Sequence, residues 1–300
     1  MKKIILLLLL LCLGGCYDYK EINNLAIITA IGIDYEDNNY IVTLEVLNDQ
    51  TDKDSAKIKS YTKTGKDETL AKALEKTADL LSDQANYTQV KLMILSKTIV
   101  DGKFNSIIDF FMRSTYFREN FYVISSIDTS PKDILNNKTE ESPVASSAII
   151  NLLDSLNYSS NNAVLKSFDQ VIEETLAFGK DTCFSNITLE NEQFKIDGLT
   201  IFNNYEYKDT IKNKYAVLYN ILTNNFYRPI FSKNYNNSYF SIAITEGKVE
   251  INLDTSTISL TGKLTGKIMD NEPNFDIRDL DELDTLNNDF NCLLYTSPSP

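Results

Sequence analysis

Four cysteines, 42 carboxylates and no histidine define the chemistry open to this 300-residue chain. Without histidine there are no imidazole metal ligands and no Ser-His-Asp or Cys-His nucleophile. The commonest proton carrier near neutral pH is also missing. The carboxylates offer little in exchange. Glu140-Glu141 and Glu173-Glu174 are adjacent pairs, and neighbours in sequence do not face one another on a helix, so they read as solvated faces. Asp279, Asp281, Glu282 and Asp284 form an acidic cluster, but it lacks the glycine that the sixth position of a calcium loop requires. It reads instead as the acidic start of a helix, where the dipole favours negative charge. The chain contains no GxxxxGK[ST], GxGxxG, GxSxG or HExxH. These motifs and clusters thus name no catalytic residue, metal ligand or cofactor site.

The cysteines are Cys12, Cys16, Cys183 and Cys292. Cys183 reads as a small buried hydrophobe, and no disulfide framework follows from such a set. Cys16 has a different setting. Lys2 and Lys3 are followed by an unbroken apolar run from Ile4 to Cys12 and then by Leu13-Gly14-Gly15-Cys16. A short positive start, an apolar stretch and small residues make a secretory leader, and the run is shorter than the ~20 residues that span a bilayer. Leu13-Gly14-Gly15-Cys16 resembles the lipobox of bacterial lipoproteins. That resemblance implies cleavage before Cys16 and a diacylglyceryl group on its thiol, and two acyl chains anchor stably where one is marginal. The leader is thus residues 1–15.

The formal charge is −13, and removal of Lys2 and Lys3 with the leader deepens it. A nucleic-acid surface needs clustered Lys and Arg, so none is expected. The body behind the leader is predicted to be α+β, in two mixed α+β domains over residues 16–185 and 186–291, the second incomplete. Strands are predicted at Leu25–Asp34 and Tyr40–Leu47, joined over Glu36–Asn39. Tyr40, Val42, Leu44 and Val46 share one face of a half-buried strand. Helices are predicted over Asp67–Ser82, capped by Asp67, over Asn105–Arg113, from Pro131, from Pro143 and over Phe168–Phe178. Val90–Leu95 and Asn120–Ile127 read as strands, and Phe178–Glu192 as a junction. Beyond it, strands are predicted at Lys195–Phe202, Tyr205–Tyr207, Tyr239–Ile244, Lys248–Leu253 and Thr257–Lys263. Helices are predicted over Lys214–Leu222 and from Asp279. The final Cys292-Leu-Leu-Tyr-Thr-Ser-Pro-Ser-Pro300 reads as translated sequencing adapter, with native sequence expected to stop at Asn291.

The stretch Cys16-Tyr17-Asp18, then Glu21-Ile22, then a strand ending Gly32-Ile33-Asp34 resembles the start of the Ger(x)C lipoproteins, the C subunits of spore germinant receptors. Lys91–Ser96, Ile107–Arg113 and Ile196–Phe202 also match that family, in order. Tyr17 stands where the family usually has Trp, and the expected Gly-Trp turn after Tyr207 is missing. The resemblance implies a non-enzymatic subunit held by its lipid on the outer face of the inner spore membrane. Its partners would be an A-type subunit with membrane spans and a B-type subunit resembling amino-acid transporters. Two other classes share some of these features. An importer's solute-binding lipoprotein would need two lobes of repeated strand–helix units, which the hairpin-first pattern disfavours. A cell-wall hydrolase would need a carboxylate pair or a nucleophile in a cleft.

Overall fold

A computed structural model of the chain describes residues 25–48, 58–138, 143–159, 161–254 and 257–295. The first part comprises β1 (Leu25–Glu36), β2 (Asn39–Asn48), β3 (Lys59–Asp67), α1 (Leu70–Ala78), β4 (Gln84–Asn86), β5 (Leu92–Ser96), α2 (Lys97–Gly102), α3 (Phe104–Arg113) and β6 (Tyr122–Ser126). It continues with α4 (Pro131–Asn136), α5 (Ala145–Ser159), α6 (Phe168–Leu176), β7 (Asp181–Glu190), β8 (Gln193–Asn203), β9 (Glu206–Ile211) and α7 (Asn213–Leu222). The last part is β10 (Ile230–Tyr235), β11 (Ser238–Leu253), β12 (Ile258–Asn271) and α8 (Leu280–Tyr295). The architecture is mixed α+β, as predicted.

The large sheet runs β3-β2-β1-β5-β6-β7-β8-β9, with β4 pairing the start of β1. Its centre, β1-β5-β6-β7, is parallel, and both flanks are antiparallel. A parallel centre needs cover on both faces, and therefore apolar residues at consecutive positions. In β5, Met93 and Leu95 enter one core while Leu92 and Ile94 enter the other. The first face is covered by α1, α2, α3 and α6 and is rich in phenylalanine. Phe104 stacks on Phe202 with ring centres 4.1 Å apart, and Phe121 on Phe168 at 4.9 Å. The second face is covered by α4 and α5 through Ile134, Leu135, Ala145, Ile149 and Leu153.

β1 serves both faces by means of a bulge between Ile28 and Ala30. The extra residue shifts the alternation, so Ile28 joins the first core and Ala30 the second. Gly32 then faces α4. A Cβ there would lie 2.8 Å from Cβ of Pro131, so the glycine sets how closely α4 approaches the sheet. The β1–β2 turn places Asp37 and Asn38 at φ of 49° and 59°, the primed geometry that matches strand twist.

Four expectations are corrected. Phe178–Glu192 is no junction. Most of it is β7, paired to β6 and β8 and buried from Thr182 to Asn186, so the expected domain boundary at 185/186 falls inside a strand. Its polar residues face partners rather than water: Asn186 accepts hydrogen bonds from Ser125 Oγ and from the Ile127 amide, and donates to the Asp197 carbonyl. Thr69, not Asp67, caps α1 by accepting from the Lys72 amide, and Asp67 instead ends β3 in an ion pair with Lys76. The strands predicted at Tyr239–Ile244 and Lys248–Leu253 are one strand, β11, which takes up Thr245 as a bulge opposite β12. Finally, β2 is buried on both faces: Thr43 and Glu45 are as enclosed as Val42 and Leu44, because α4 and α5 cover the side read as solvent-facing.

The second sheet, β10-β11-β12, has its own small core, in which Phe240 meets Leu286 and Phe290 of α8. Gly32→Val should force α4 off the first sheet. The expected loss is about 1–3 kcal/mol, read as a lower urea midpoint at unchanged slope. An unmoved midpoint would mean that α4 does not rest on β1.

Candidate functional site

The expected lipobox residues Leu13, Gly14, Gly15 and Cys16 lie outside the described residues, as do Glu140 and Glu141. The chain becomes described at Leu25, nine positions after Cys16, and there it borders a groove of about 1210 Å³. Leu25 and Tyr40 contribute the sheet side. Ala71, Leu74, Glu75 and Ala78 of α1 form one wall, and Ser106, Asp109, Phe110 and Arg113 of α3 the other. Tyr87 also lines the groove, its ring tilted against that of Phe117 with centres 4.9 Å apart, and burial pushes its phenol up to about 12. The groove thus has an apolar floor and a charged rim, on which Arg113 is held by Asp109 at 2.9 Å.

A second hollow of about 670 Å³ lies between α7 and the β11–β12 hairpin. Tyr215, Leu218 and Leu222 line it on one side, and Val249, Leu260 and Leu264 on the other. The hairpin continues past it as an exposed aliphatic ribbon of Ile251, Leu253, Ile258 and Leu260. Contiguous exposed aliphatics of this kind mark surfaces that meet protein or lipid.

The titratable groups are used structurally. Glu45 of β2 is fully buried yet completely partnered. It accepts from Thr29 Oγ1 at 2.8 Å, Ser60 Oγ at 2.9 Å, and the amides of Ala145 and Ser146 at 2.7 and 3.1 Å. Those amides open α5, whose first N–H groups have no partner within the helix. A carboxylate supplied by another element therefore caps the helix and meets its dipole. Nothing in the pattern of β2 marked this role; the only signal was an acidic residue inside an otherwise apolar strand. Lys138 lies close by and donates to the Ser60 carbonyl at 2.6 Å. Its ammonium is pushed down by burial, an effect opposed by the charge of Glu45.

Glu173 and Glu174 go separate ways. Glu173 pairs with Lys180, while Glu174 binds Lys166 and accepts from Thr182. Asp279 accepts from the amides of Asp281 and Glu282 and so caps α8, the helix-start reading of the acidic cluster. No group of His, Cys, Asp and Glu among the described residues is arranged to hold a metal ion. Cys183 is buried beside Val164, Leu199 and Ala216, and burial pushes its thiol up, away from the reactive thiolate. Asp289 of α8 is bound by Lys233 Nζ and by the Tyr235 hydroxyl, both at 2.6 Å, and these partners hold its carboxyl below the usual range.

With a buried capping carboxylate and two apolar hollows in view, comparison with known proteins decides the family. Residues 18–189 match the spore germination protein N-terminal domain, which is more than half of the chain. The chain belongs to this family. Spore germination protein KC of Bacillus subtilis (strain 168) is 24% identical over 235 residues, covering 68% of this chain and 56% of that protein. Spore germination protein A3 of the same strain is 26% identical over 216 residues, covering 67% and 56%. The chain therefore spans little more than half the length of these curated relatives. The crystal structure of the GerBC protein aligns over 88% of this chain and 78% of its own, with a TM-score of 0.47 and 12% identity. The segments that carry the sequence resemblance are framework here: Lys91–Ser96 is β5 with the residue before it, Ile107–Arg113 lies in α3, and Ile196–Phe202 lies in β8. Gly32-Ile33-Asp34 lies in the second half of β1, where Asp34 accepts from Thr98 Oγ1 at 2.8 Å.

Two outcomes follow. Glu45→Ala strips four donors of their acceptor and should cost about 3–5 kcal/mol, seen as a large fall in the denaturation midpoint; a loss below 1 kcal/mol would remove Glu45 from its capping role. Asp289→Asn should lower stability by up to about 1 kcal/mol at pH 7. Because the folded carboxyl titrates below its unfolded value of about 3.9, this contribution is present above pH ~4 and fades as pH falls further. Thermal midpoints of the two proteins should thus converge in acid.

Proposed function

We propose that this member of the spore germination family is a lipid-anchored, non-catalytic subunit of a spore germinant receptor. In this reading, cleavage before Cys16 within Leu13-Gly14-Gly15-Cys16 leaves a diacylglyceryl-cysteine on the outer face of the inner spore membrane. The body binds A-type and B-type subunits, and the subunit serves receptor assembly or signalling through those contacts. The observation that carries the reading is the match over residues 18–189, with a lipobox-like segment just ahead of it. Two features add support. No helix among the described residues is long and apolar enough to cross a membrane, so those residues supply no span that would make a lipid anchor superfluous. The aliphatic ribbon around Ile251, Leu253 and Ile258 also offers a face for partner proteins. The division into a first unit over residues 16–185 and a second over 186–291 is carried here as a proposal, although β7 crosses that boundary and the family match runs to residue 189.

The test is a spore lacking this gene but retaining its A-type and B-type partners. It should fail to answer the matching nutrient while still germinating through other receptors, and normal nutrient germination would overturn the proposal. Cys16→Ser should shift the protein from the membrane fraction to the soluble fraction or leave it as an uncleaved precursor. The intact mass of wild type should carry the diacylglyceryl increment.

A further inference from the structure

We propose that the body rests on the lipid bilayer by one end of its first sheet, the end at which β1, β3, β4, β5, β6 and β7 begin. These strands all run one way. β4 and β5 are parallel to β1, β6 to β5 and β7 to β6, while β3 is antiparallel to β2 and β2 to β1. The segments that lead into them therefore share one end, and exposed apolar side chains gather there. Ile58 precedes β3, Leu80 precedes β4, Met112 and Tyr116 precede β6, and Leu176 and Phe178 precede β7. Of the large apolar side chains left exposed among the described residues from Leu25 to Ile211, only Tyr158 falls outside these segments, and it packs on Tyr227. Phe178, in the α6–β7 loop, is fully exposed. Single exposed apolar residues are ordinary, but such a gathering at one end is not.

The opposite end has the reverse character. The turns that follow the strands carry Asp37, Asp67, Asp128, Glu190 and Glu192. The first sheet is thus polarised along its strands, apolar where they start and acidic where most of them stop. An anionic lipid surface would repel the second end and accept the first.

Chain length and spacing favour a bilayer at the apolar end. Leu25 starts β1 there, nine positions after Cys16. Nine residues reach at most about 30–32 Å. β1 alone has 12 residues and is about 36–40 Å long, so a chain tied down at position 16 cannot bring the acidic end to the surface that holds it. The apolar tips are also well separated. Ile58 and Phe178 lead into the outer members of the order β3-β2-β1-β5-β6-β7, roughly 24 Å apart at about 4.8 Å per strand. Separate tips across the width of a sheet suit a broad lipid surface, which each can enter alone, whereas a protein partner is met by one contiguous patch. Tyr116 has the ring and hydroxyl that settle at a bilayer interface, and the exposed Arg118 two positions on can meet lipid phosphate. What holds the body at a membrane rests on the lipid-anchor reading; which end faces it rests on the sheet.

The chain has no tryptophan, so Phe178→Trp and Asp128→Trp each give a single emitter, at opposite ends of the sheet. Each chain, with a hexahistidine tag in place of residues 1–15, would be held by a nickel-chelating lipid on vesicles of phosphatidylcholine and phosphatidylglycerol, so the native anchor is not needed. With brominated acyl chains in the vesicles, Phe178→Trp should be quenched severalfold more than Asp128→Trp, and its emission should shift to the blue. Adding Tyr116→Ser and Leu176→Ser should remove most of that difference at unchanged far-UV circular dichroism. Tyr116→Trp carries the comparison if Phe178→Trp perturbs the fold. Equal quenching at the two ends overturns the proposal. So does quenching that survives both serine changes, since the tether alone would then set the distance. Quenching that appears only with a partner subunit in the vesicle overturns it too, by making that end a protein contact. If the native chain lacks the diacylglyceryl mass while the tagged chain shows the difference, the anchor reading fails and the choice of face stands.

Discussion

The first sheet is buried on both faces, and most of its local detail follows from that constraint. A two-sided sheet cannot rely on simple alternation, so its central strands carry apolar residues at successive positions, as Leu92 to Leu95 do. It also needs helices at close range on each side. On the phenylalanine-rich face this is met by bulk. On the other it is met by removing bulk, with Gly32 opposite Pro131 and Ala30 beside α5. The bulge at Thr29 lets one strand serve both arrangements, and it leaves Thr29 placed to donate to Glu45.

Glu45 resolves the main cost of this design. Covering the second face with α5 buries the start of that helix, where backbone N–H groups have no helical partner. A local Ser or Asp cap would serve only the helix. A carboxylate from β2 serves the helix, β1 through Thr29 and β3 through Ser60 together, so one side chain ties four elements. A buried charge is tolerated only when its hydrogen-bonding capacity is met, and here both oxygens are occupied. The same economy appears in Asn186, whose side chain joins the end of β6 to the irregular part of β8. There Gly198, at φ 85°, sits beside a carbonyl that leaves no room for a Cβ.

What could be read from the sequence was whatever local chemistry dictates. The β1–β2 turn was legible because Asp37 and Asn38 tolerate positive φ, and the same logic covers Asn204, Asn236 and Asn237 in a chain with only ten glycines. The starts of α4 and α8 were legible because Ser130-Pro131 and the Asp279 cluster are helix-start chemistry. What was not legible depended on distant partners. β7 escaped because Thr182, Ser185 and Asn186 look like loop residues until their partners on α6, at Val164, and on β6 and β8 are in place. The second face of β2 looked solvent-facing because nothing local announces α5. The short α2 and the edge strand β10 were too brief to show a period. Of the candidate site, the described residues yield a groove between α1 and α3, and no periodicity could have foreseen a hollow between two helices distant in sequence.

Kinship and contact surface reside in different parts of the molecule. The family match ends at residue 189, so it embraces most of the first sheet's core, where packing restricts what each position can hold. The aliphatic ribbon of β11 and β12 lies wholly beyond it. A residue such as Ile33 or Leu95 is constrained by neighbours within its own chain, whereas Leu253 and Ile258 touch almost nothing of theirs. A surface free of internal constraint can be tuned to a partner without disturbing the fold.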